Sequence, residues 1–492
     1  MGPKVDIAIV GYELGGLIAA SFLAKQGYRV CVIQNAEQVS TYEAGDYLFA
    51  KRKRILPRLS SMPHVQYIHR QLGVEAILER ALKVDDRAFQ LLSDDSRVDV
   101  WTNAEAFHVE IEREFPEQKE SIASLLERMF RIDAEINGLL AGLPYFPAEG
   151  WRQRKQFKQH ERHATRFSRK LFAGELASDE QLKISSSRLS DLLRFFSHLD
   201  SSDPSMIHGV RTLCNFMRGT MDFIDPSDTL EKYFAEAAKN YGVEFVDEEM
   251  IKMEIKFGKI RKIITNKSEI DARVVLLNTN ASVAQWVTNK GILKKLEKEM
   301  TPLSSRGNWS IDVLLDAAAV PVSLGKLAFC LPVNAEQDEM HMLRISPALT
   351  KKKQSKKMNS TGQYKVLSLS GWSCHEELNQ ITPQARWAQL QSKIEPFLPF
   401  ADEHIRHVTS QEHVDSENTP GAQLRYRVGT NCDFMGVGRS TLRSGIKNML
   451  YTSSSALPGL GVEGDYIAAL AAVRSVLNME QPGWKPLREL PI

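Results

Sequence analysis

The chain has 492 residues, enough for about three domains at ~150 residues each. Hydrophobic residues at 43% and charged residues at 25% exclude disordered and fibrous classes. Lys plus Arg number 63 against 61 Asp plus Glu, a net charge of +2, which leaves no global attraction for polyanions and argues against nucleic acid as a partner. The five cysteines are widely spaced and form no C-x-x-C pair, so a disulfide framework and a cysteine-rich zinc site are not expected. The apolar stretch Ile7–Ala24 carries Glu13 and three glycines, which argues against a spanning helix. The expectation is a cytoplasmic protein, at most attached to a membrane surface.

In chain order, Lys4–Val10 is a β-branched apolar run of strand length. Gly11-Tyr-Glu-Leu-Gly15-Gly16 follows, then a helix from Leu14 to Gln26 stopped by Gly27, then a strand Tyr28–Ile33 closed by Gln34. Strand, glycine turn, helix and strand within ~30 residues make a βαβ unit of the dinucleotide-binding kind. Gly11 permits the tight turn, and Gly16 lets the helix approach the sheet. The position between them, where backbone meets a pyrophosphate, ordinarily needs glycine and is Glu13 here. The strand-end acid that would bind ribose hydroxyls is Gln34, which can still hydrogen-bond them without a charge.

Amphipathic helical runs are predicted over Gln66–Leu82, Ala104–Phe115, Lys119–Gly142 and Ser187–Phe196, with few strand patterns between. A helix at Thr229–Tyr241 and a short strand at Val243–Val246 follow. Met250–Phe257 and Lys259–Thr265 read as a hairpin turning at Gly258, and Ala272–Asn278 as a buried strand. Alternating runs at Ser310–Leu315, Leu327–Leu331, His341–Ile345 and Tyr364–Leu369 predict a second sheet, and Pro383–Ile394 a helix. Lys351–Lys357 reads as a solvated loop. The chain then returns through a strand at Asn448–Thr452, a glycine turn, and a helix at Tyr466–Leu477.

That return segment, with Pro458-Gly-Leu-Gly-Val-Glu-Gly464 after the strand, resembles the C-terminal flavin motif of phytoene desaturase-like FAD-dependent oxidoreductases, within the amine-oxidase superfamily. Gly459, Gly461 and Gly464 match the motif, while Leu460 replaces a usual glycine. Glu417-Asn-Thr-Pro-Gly421 and the Gly436/Gly438 stretch look like the family's penultimate segment. The resemblance implies an α/β fold: a Rossmann-type FAD-binding domain interleaved with a substrate domain made of a mixed or antiparallel sheet and a helical insertion. The expected order is 1–63 dinucleotide-binding, 64–221 helical substrate or membrane-contact region, 222–285 dinucleotide-binding, 286–440 substrate sheet, and 441–492 dinucleotide-binding. It further implies FAD held by Gly11, Glu13, Leu14, Gly15, Gly16 and Gln34 in the adenine half, with Met250 against the adenine. Gly459, Gly461, Val462 and Gly464 would hold the ring half. The implied activity is hydride transfer from a long apolar substrate, or a lipid, to flavin.

Four departures fall in cofactor-binding elements: Glu13, Gln34, a missing Gly-Gly-Arg segment after the second strand, and Pro226-Ser-Asp-Thr229 before a helix. They leave open a second reading, a flavin-less relative or inactive subunit that uses the fold to bind lipid or protein, as a homo- or hetero-oligomer. No catalytic side chain is identified. His160 and His163 lie among cationic neighbours, so no metal site is expected. Trp151–Phe172 holds eight Lys or Arg against one acid, with aromatics interleaved. It is a candidate contact for an anionic membrane or an acidic protein.

Overall fold

The structure is a computed structural model. It describes residues 4–34, 40–51, 54–93, 96–142, 192–193, 195–197, 206–279, 286–287, 304–331, 340–350, 363–374, 381–411, 424–426, 442–454 and 456–480, together with 151, 155 and 159. The 351–357 loop, almost all of 151–172, and the segments around 417–421 and 436–438 lie outside the described residues.

The chain opens with β1 (Lys4–Val10), α1 (Leu14–Lys25) and β2 (Val30–Gln34). The polar stretch after Gln34 ends in a hairpin, β3 (Thr41–Ala44) and β4 (Tyr47–Ala50). Next come β5 (Leu56–Pro57), α2 (Pro63–Leu72), α3 (Glu75–Ala81), β6 (Leu82–Val84), β7 (Arg87–Leu92) and β8 (Arg97–Trp101). The helices α4 (Ala104–Glu114), α5 (Lys119–Gly142) and α6 (Met206–Met217) precede β9 (Thr220–Phe223) and α7 (Leu230–Asn240). Strands β10 (Glu244–Asp247), β11 (Met250–Lys256), β12 (Lys259–Thr265) and β13 (Glu269–Leu277) follow. The second sheet adds β14 (Ser304–Asp316), β15 (Leu327–Cys330), β16 (His341–Pro347), β17 (Leu349–Thr350) and β18 (Tyr364–Cys374). The chain closes with α8 (Pro383–Ile394), β19 (Ile405–Thr409), β20 (Leu424–Tyr426), β21 (Met449–Tyr451) and α9 (Gly461–Glu480).

Two sheets carry the fold. In the first, β10, β2, β1 and β13 run parallel in that order. The free edge of β13 is shared: its first residues pair antiparallel with β12, and Val275–Leu277 pair parallel with β21. The chain winds outward from β1 to β2 and β10 on one side, and to β13 and β21 on the other. The crevice outside the carboxyl ends of β1 and β13 is therefore a topological switch point, the place where open α/β sheets bind ligands. Helix α1 packs on this sheet through Leu14, Leu17, Ile18 and Phe22, against the small-residue face of α9 at Ala468, Ala469 and Ala472.

The second sheet orders β19, β14, β18, β16, β15, β7 and β8 and is antiparallel except for the β15–β7 pair. α8 covers one face, where Trp387, Leu390 and Ile394 join Trp309, Ile311 and Val313. The expectation of a region poor in strands after residue 64 is corrected here, since β7 and β8 come from it and complete the second sheet. The predicted Gln66–Leu82 helix is also corrected: it breaks at Gly73, whose backbone turns left-handed (φ 69°) and ends α2. Among the described residues, no helix is long and apolar enough to cross a membrane.

Candidate dinucleotide site

The glycine turn sits at the switch point and is closed by the chain itself. Gly11 leaves β1 with φ 111°, a backbone that side chains rarely adopt, and a Cβ there would lie 2.1 Å from the Asn278 carbonyl oxygen. Asn278 is fully buried just after β13. Its Oδ1 accepts from the Gly16 N–H at 2.9 Å, and its Nδ2 donates to the Glu13 carbonyl at 2.7 Å. A Cβ on Gly16 would meet this side chain at 2.1 Å, and one on Gly15 would meet the Thr452 carbonyl oxygen at 2.2 Å. These glycines thus let α1 start against the ends of β13 and β21.

Glu13 is the N-cap of α1, with extended backbone and no side-chain cap hydrogen bond. Its carboxylate instead reaches the loop after β21, where Oε2 accepts from the Ser454 N–H at 3.2 Å, with the Ser454 hydroxyl at 3.5 Å. Gln34 closes β2, paired with Asp247, and its carbonyl accepts from the Glu248 N–H at 3.0 Å. Its side-chain Oε1 is buried without a hydrogen-bond partner among the described residues. Met250 begins β11 two residues after Glu248 and packs against the apolar cluster that includes Val10 and Ile33.

On the ring side, the predicted helix start at Tyr466 is corrected, because α9 begins at Gly461 and includes Gly464. Gly461 has φ 54° and ψ −131°, and a Cβ there would fall 2.4 Å from the Phe196 carbonyl oxygen. A Cβ on Gly464 would likewise fall 2.3 Å from the Leu457 carbonyl oxygen. Phe196 stacks on Phe216 with centroids 3.9 Å apart and belongs to an aromatic wall with Phe89, Phe195 and Phe329. Strands β7 and β15 supply Phe89 and Phe329, so the second sheet packs on Phe196, whose carbonyl lies against Gly461.

Two buried ionic networks flank the site, and the sequence reading named none of their members as partners. In the first, Arg54 hydrogen-bonds Asp465 at 2.9 Å and forms an ion pair with Glu231 at 3.2 Å, and Asp465 is only 1% exposed. Asp465 also shares a hydrogen bond with the Ser454 side chain, while its Oδ1 has no partner among the described residues. Burial, aided by Glu13 and Glu231 and opposed by Arg54, pushes the Asp465 carboxyl up to about 7. Burial alone would lower the Arg54 guanidinium, but Glu231, Asp465 and Glu13 hold it above its ordinary value.

In the second network, Arg211, 1% exposed on α6, bonds Glu463 through Nε at 3.0 Å and Nη2 at 2.6 Å, and Asp133 at 2.7 Å. Asn215 adds a bond to Glu463 at 3.1 Å, and Thr212 one to the Gly459 carbonyl at 3.1 Å. Arg218 also pairs with Asp133. Burial works to raise the Glu463 carboxyl, but Arg211 outweighs it and the net direction is down. This clamp fixes the first turn of α9. The clue available in the sequence was two acids, Glu463 and Asp465, inside a glycine-rich helix start.

The elements of the site fit a flavin dinucleotide at its adenosine end. The orphaned Gln34 oxygen can accept from a ribose hydroxyl, and the uncapped start of α1 suits an anion. The Glu13 carboxylate is the one feature of this turn that would oppose a pyrophosphate. Among the described residues, no group of three or more His, Cys, Asp or Glu is placed to hold a metal ion.

Comparisons with known proteins agree with this architecture. A family profile described as flavin containing amine oxidoreductase matches residues 14–477. An oxidoreductase from Methanosarcina mazei is similar in structure, with a TM-score of 0.58 at 12% identity, covering 96% of this chain and 100% of that one. Cyclohexylamine oxidase from Brevibacterium oxydans gives 0.56 at 12% identity, covering 97% and 100%. Putrescine oxidase bound to putrescine gives 0.57 at 13% identity, covering 97% and 99%. No curated protein sequence matches the chain. The glycine turn, the switch-point crevice and a profile match over most of the sequence together place this chain in the flavin-containing amine oxidoreductase family.

Proposed function

We propose that the chain is an FAD-dependent oxidoreductase acting on a long apolar substrate. The apolar substrate class rests on the resemblance of Pro458–Gly464 to the phytoene desaturase-like motif, while the neighbouring rings of Phe89, Phe196 and Phe329 are buried core. The cofactor assignment is supported by the family and by the orphaned Gln34 oxygen at the end of β2.

In this reading Gln34 binds the ribose, and the start of α1 with Gly11, Leu14, Gly15 and Gly16 faces the phosphates. Met250 lines the adenine, and Gly459, Gly461, Val462 and Gly464 form the backbone surface for the ring. When bound, flavin supplies the hydride acceptor. The chain's own part is orientation and exclusion of water. The Arg211–Glu463 clamp fixes the first turn of α9. Contact with an anionic membrane surface through Trp151–Phe172 belongs to the same proposal and rests on sequence alone, with basic and aromatic residues interleaved.

The test is anaerobic reduction of the FAD-loaded protein by a substrate panel, followed by loss of the oxidised flavin band. Bleaching by long polyenes is the expected result. Cyclohexylamine oxidase and putrescine oxidase are named for amines. Bleaching by ring or aliphatic amines with none by polyenes would move the substrate class to amines. A chain that takes up no FAD would return the fold to the cofactor-free reading.

A further inference from the structure

The crevice at the switch point already contains an anion of the chain's own. Glu13 stands at the start of α1, where helix N–H groups and the helix dipole favour negative charge. Its carboxylate crosses to the β21–α9 loop and takes the Ser454 N–H. A carboxylate bridging α1 and that loop shows that the gap accommodates an anionic group.

Three acids converge on this point with one cation among them. Glu13 comes from α1, Glu231 from α7 and Asp465 from α9, while Arg54 comes from the segment after β4. Glu13 and Asp465 both bond Ser454. Asp465 is almost fully buried and keeps an unpartnered Oδ1 among the described residues. The other charged groups nearby do not rebalance the cluster: Glu236 on α7 adds a negative field at Tyr12, and Glu463 on α9 is neutralised by Arg211. Tyr466 on α9 is held neutral by burial. A pyrophosphate entering here would meet more negative charge than Arg54 can offset.

We infer that Glu13, Glu231 and Asp465, gathered around Arg54, form an internal anion gate on the dinucleotide site, so that a dinucleotide enters only as Glu13 gives up the Ser454 amide and the cluster takes up a proton. The inference rests on the proposal that FAD is the ligand. Glu13 stands in for a phosphate while the site is free, and Arg54 is the cation to which the pyrophosphate turns once Asp465 is neutral. The elevated Asp465 carboxyl, at about 7, places the proton uptake near neutrality.

The magnitudes follow from Coulomb's law and proton linkage. Two like charges at ~4 Å and an effective dielectric of 20 repel by about 4 kcal/mol, equivalent to roughly a thousandfold in Kd. Uptake of one proton by a group that titrates near 7 makes FAD binding about tenfold weaker at pH 8 than at pH 6.

The experiment titrates the full chain with FAD at pH 6 and pH 8, following quenching of flavin fluorescence, for the parent, Glu13→Gln and Glu13→Gly. Adenosine, which has no phosphate, is titrated in parallel as a probe of the Gln34 end. Circular dichroism melts confirm that each variant folds, and the glutamine form keeps the side-chain volume should glycine disturb the turn. The gate predicts weak, pH-dependent FAD binding by the parent, tightening of a hundredfold or more in both variants, and adenosine binding unaffected by Glu13. Equal FAD affinity in parent and variants, with no pH dependence, would overturn the gate while leaving the cofactor assignment intact. Adenosine and FAD both failing to bind any of the three proteins would overturn the gate and the cofactor assignment together.

Discussion

The Glu13 carboxylate accepts the Ser454 backbone N–H at 3.2 Å, joining the turn after β1 to the loop before α9 across 441 residues. A residue that breaks the glycine pattern of the turn thereby becomes a tie between α1 and the segment leading into α9. It also adds to a cluster in which three carboxylates share Arg54.

The stability of that cluster is unevenly distributed. Replacing Arg54 with Met strands Asp465 and Glu231 as buried acids with no cation, at an expected cost of about 3–5 kcal/mol. Replacing Glu13 with Gln removes one excess charge and is expected to change stability by less than about 1 kcal/mol. Urea denaturation of the three proteins measures both values. Equal losses in the two variants would contradict the charge count.

The Arg211 clamp gives a sharper contrast. Arg211→Met leaves Glu463 buried and unpaired, and a loss of about 3–5 kcal/mol is expected. The double variant Arg211→Met with Glu463→Gln removes the stranded charge, while Asp133 keeps Arg218. It is expected to recover most of the loss in the same denaturation assay. Additive losses would mean that the pair does not act as a unit.

Buried groups make stability depend on pH in opposite directions, as His69 and Asp465 show. His69 bonds the Tyr466 hydroxyl at 3.0 Å, and burial lowers its pKa to about 4 from 6.5. The unfolded chain takes the proton first, so stability falls as pH drops from about 6.5 towards 4. Asp465 is raised from 3.8 to about 7, so the folded state holds its proton longer and stability falls as pH rises across that window. His69→Gln is expected to reduce the acid-side loss, to which the half-buried His64 and the buried Glu463 also contribute, and Asp465→Asn to remove the loss on the neutral side. Melting curves from pH 4 to 8 distinguish the two. Parallel pH profiles for the parent and His69→Gln would contradict the His69 assignment.

At the ribose end, Gln34→Glu replaces a neutral acceptor with a charged one. Charge-assisted hydrogen bonds are roughly twice as strong as neutral ones, so FAD affinity is expected to rise about tenfold in a Glu13→Gly background. Gln34→Leu is expected to weaken binding by a similar factor without changing the melt. Equal affinities across the series, by fluorescence titration, would remove Gln34 from the site.

The basic segment gives a surface prediction. Neutralising Arg152, Arg154, Lys155 and Lys158 together is expected to remove most binding to anionic vesicles, at ~1 kcal/mol per charge near the surface. Sedimentation that is equal with neutral and anionic vesicles, and insensitive to salt, would discard the contact.

Much of the first sheet was legible because its signals are local. Lys4–Val10 and the turn at Gly258 coincide with the structure, since a β-branched run and a glycine left in a positive-φ turn need no distant partner. Strand β7 was missed for the opposite reason. Arg87-Ala-Phe-Gln-Leu-Leu has neither β-branched residues nor clean alternation, and it becomes a strand through parallel pairing with β15, more than 200 residues on. The start of α9 was placed late because Gly461 and Gly464 weaken a helical reading, whereas the Phe196 and Leu457 carbonyls require glycine there. Within the site, Glu13 and Gln34 stood out as departures from a short motif. Arg54, Glu231, Arg211 and Asp133 did not. Charged residues usually mark solvated faces, and only the folded topology brings Arg54 to Asp465, 411 positions away.

The central claim is that this crevice holds FAD, and it is tested most directly by a visible spectrum. The purified chain is incubated with FAD at pH 6, freed of unbound ligand, and compared with the double variant Glu13→Gly with Gln34→Glu. The account predicts a flavin band in both, stronger in the double variant and approaching one flavin per chain. Colourless protein in both samples, with a cooperative melt retained, would contradict it.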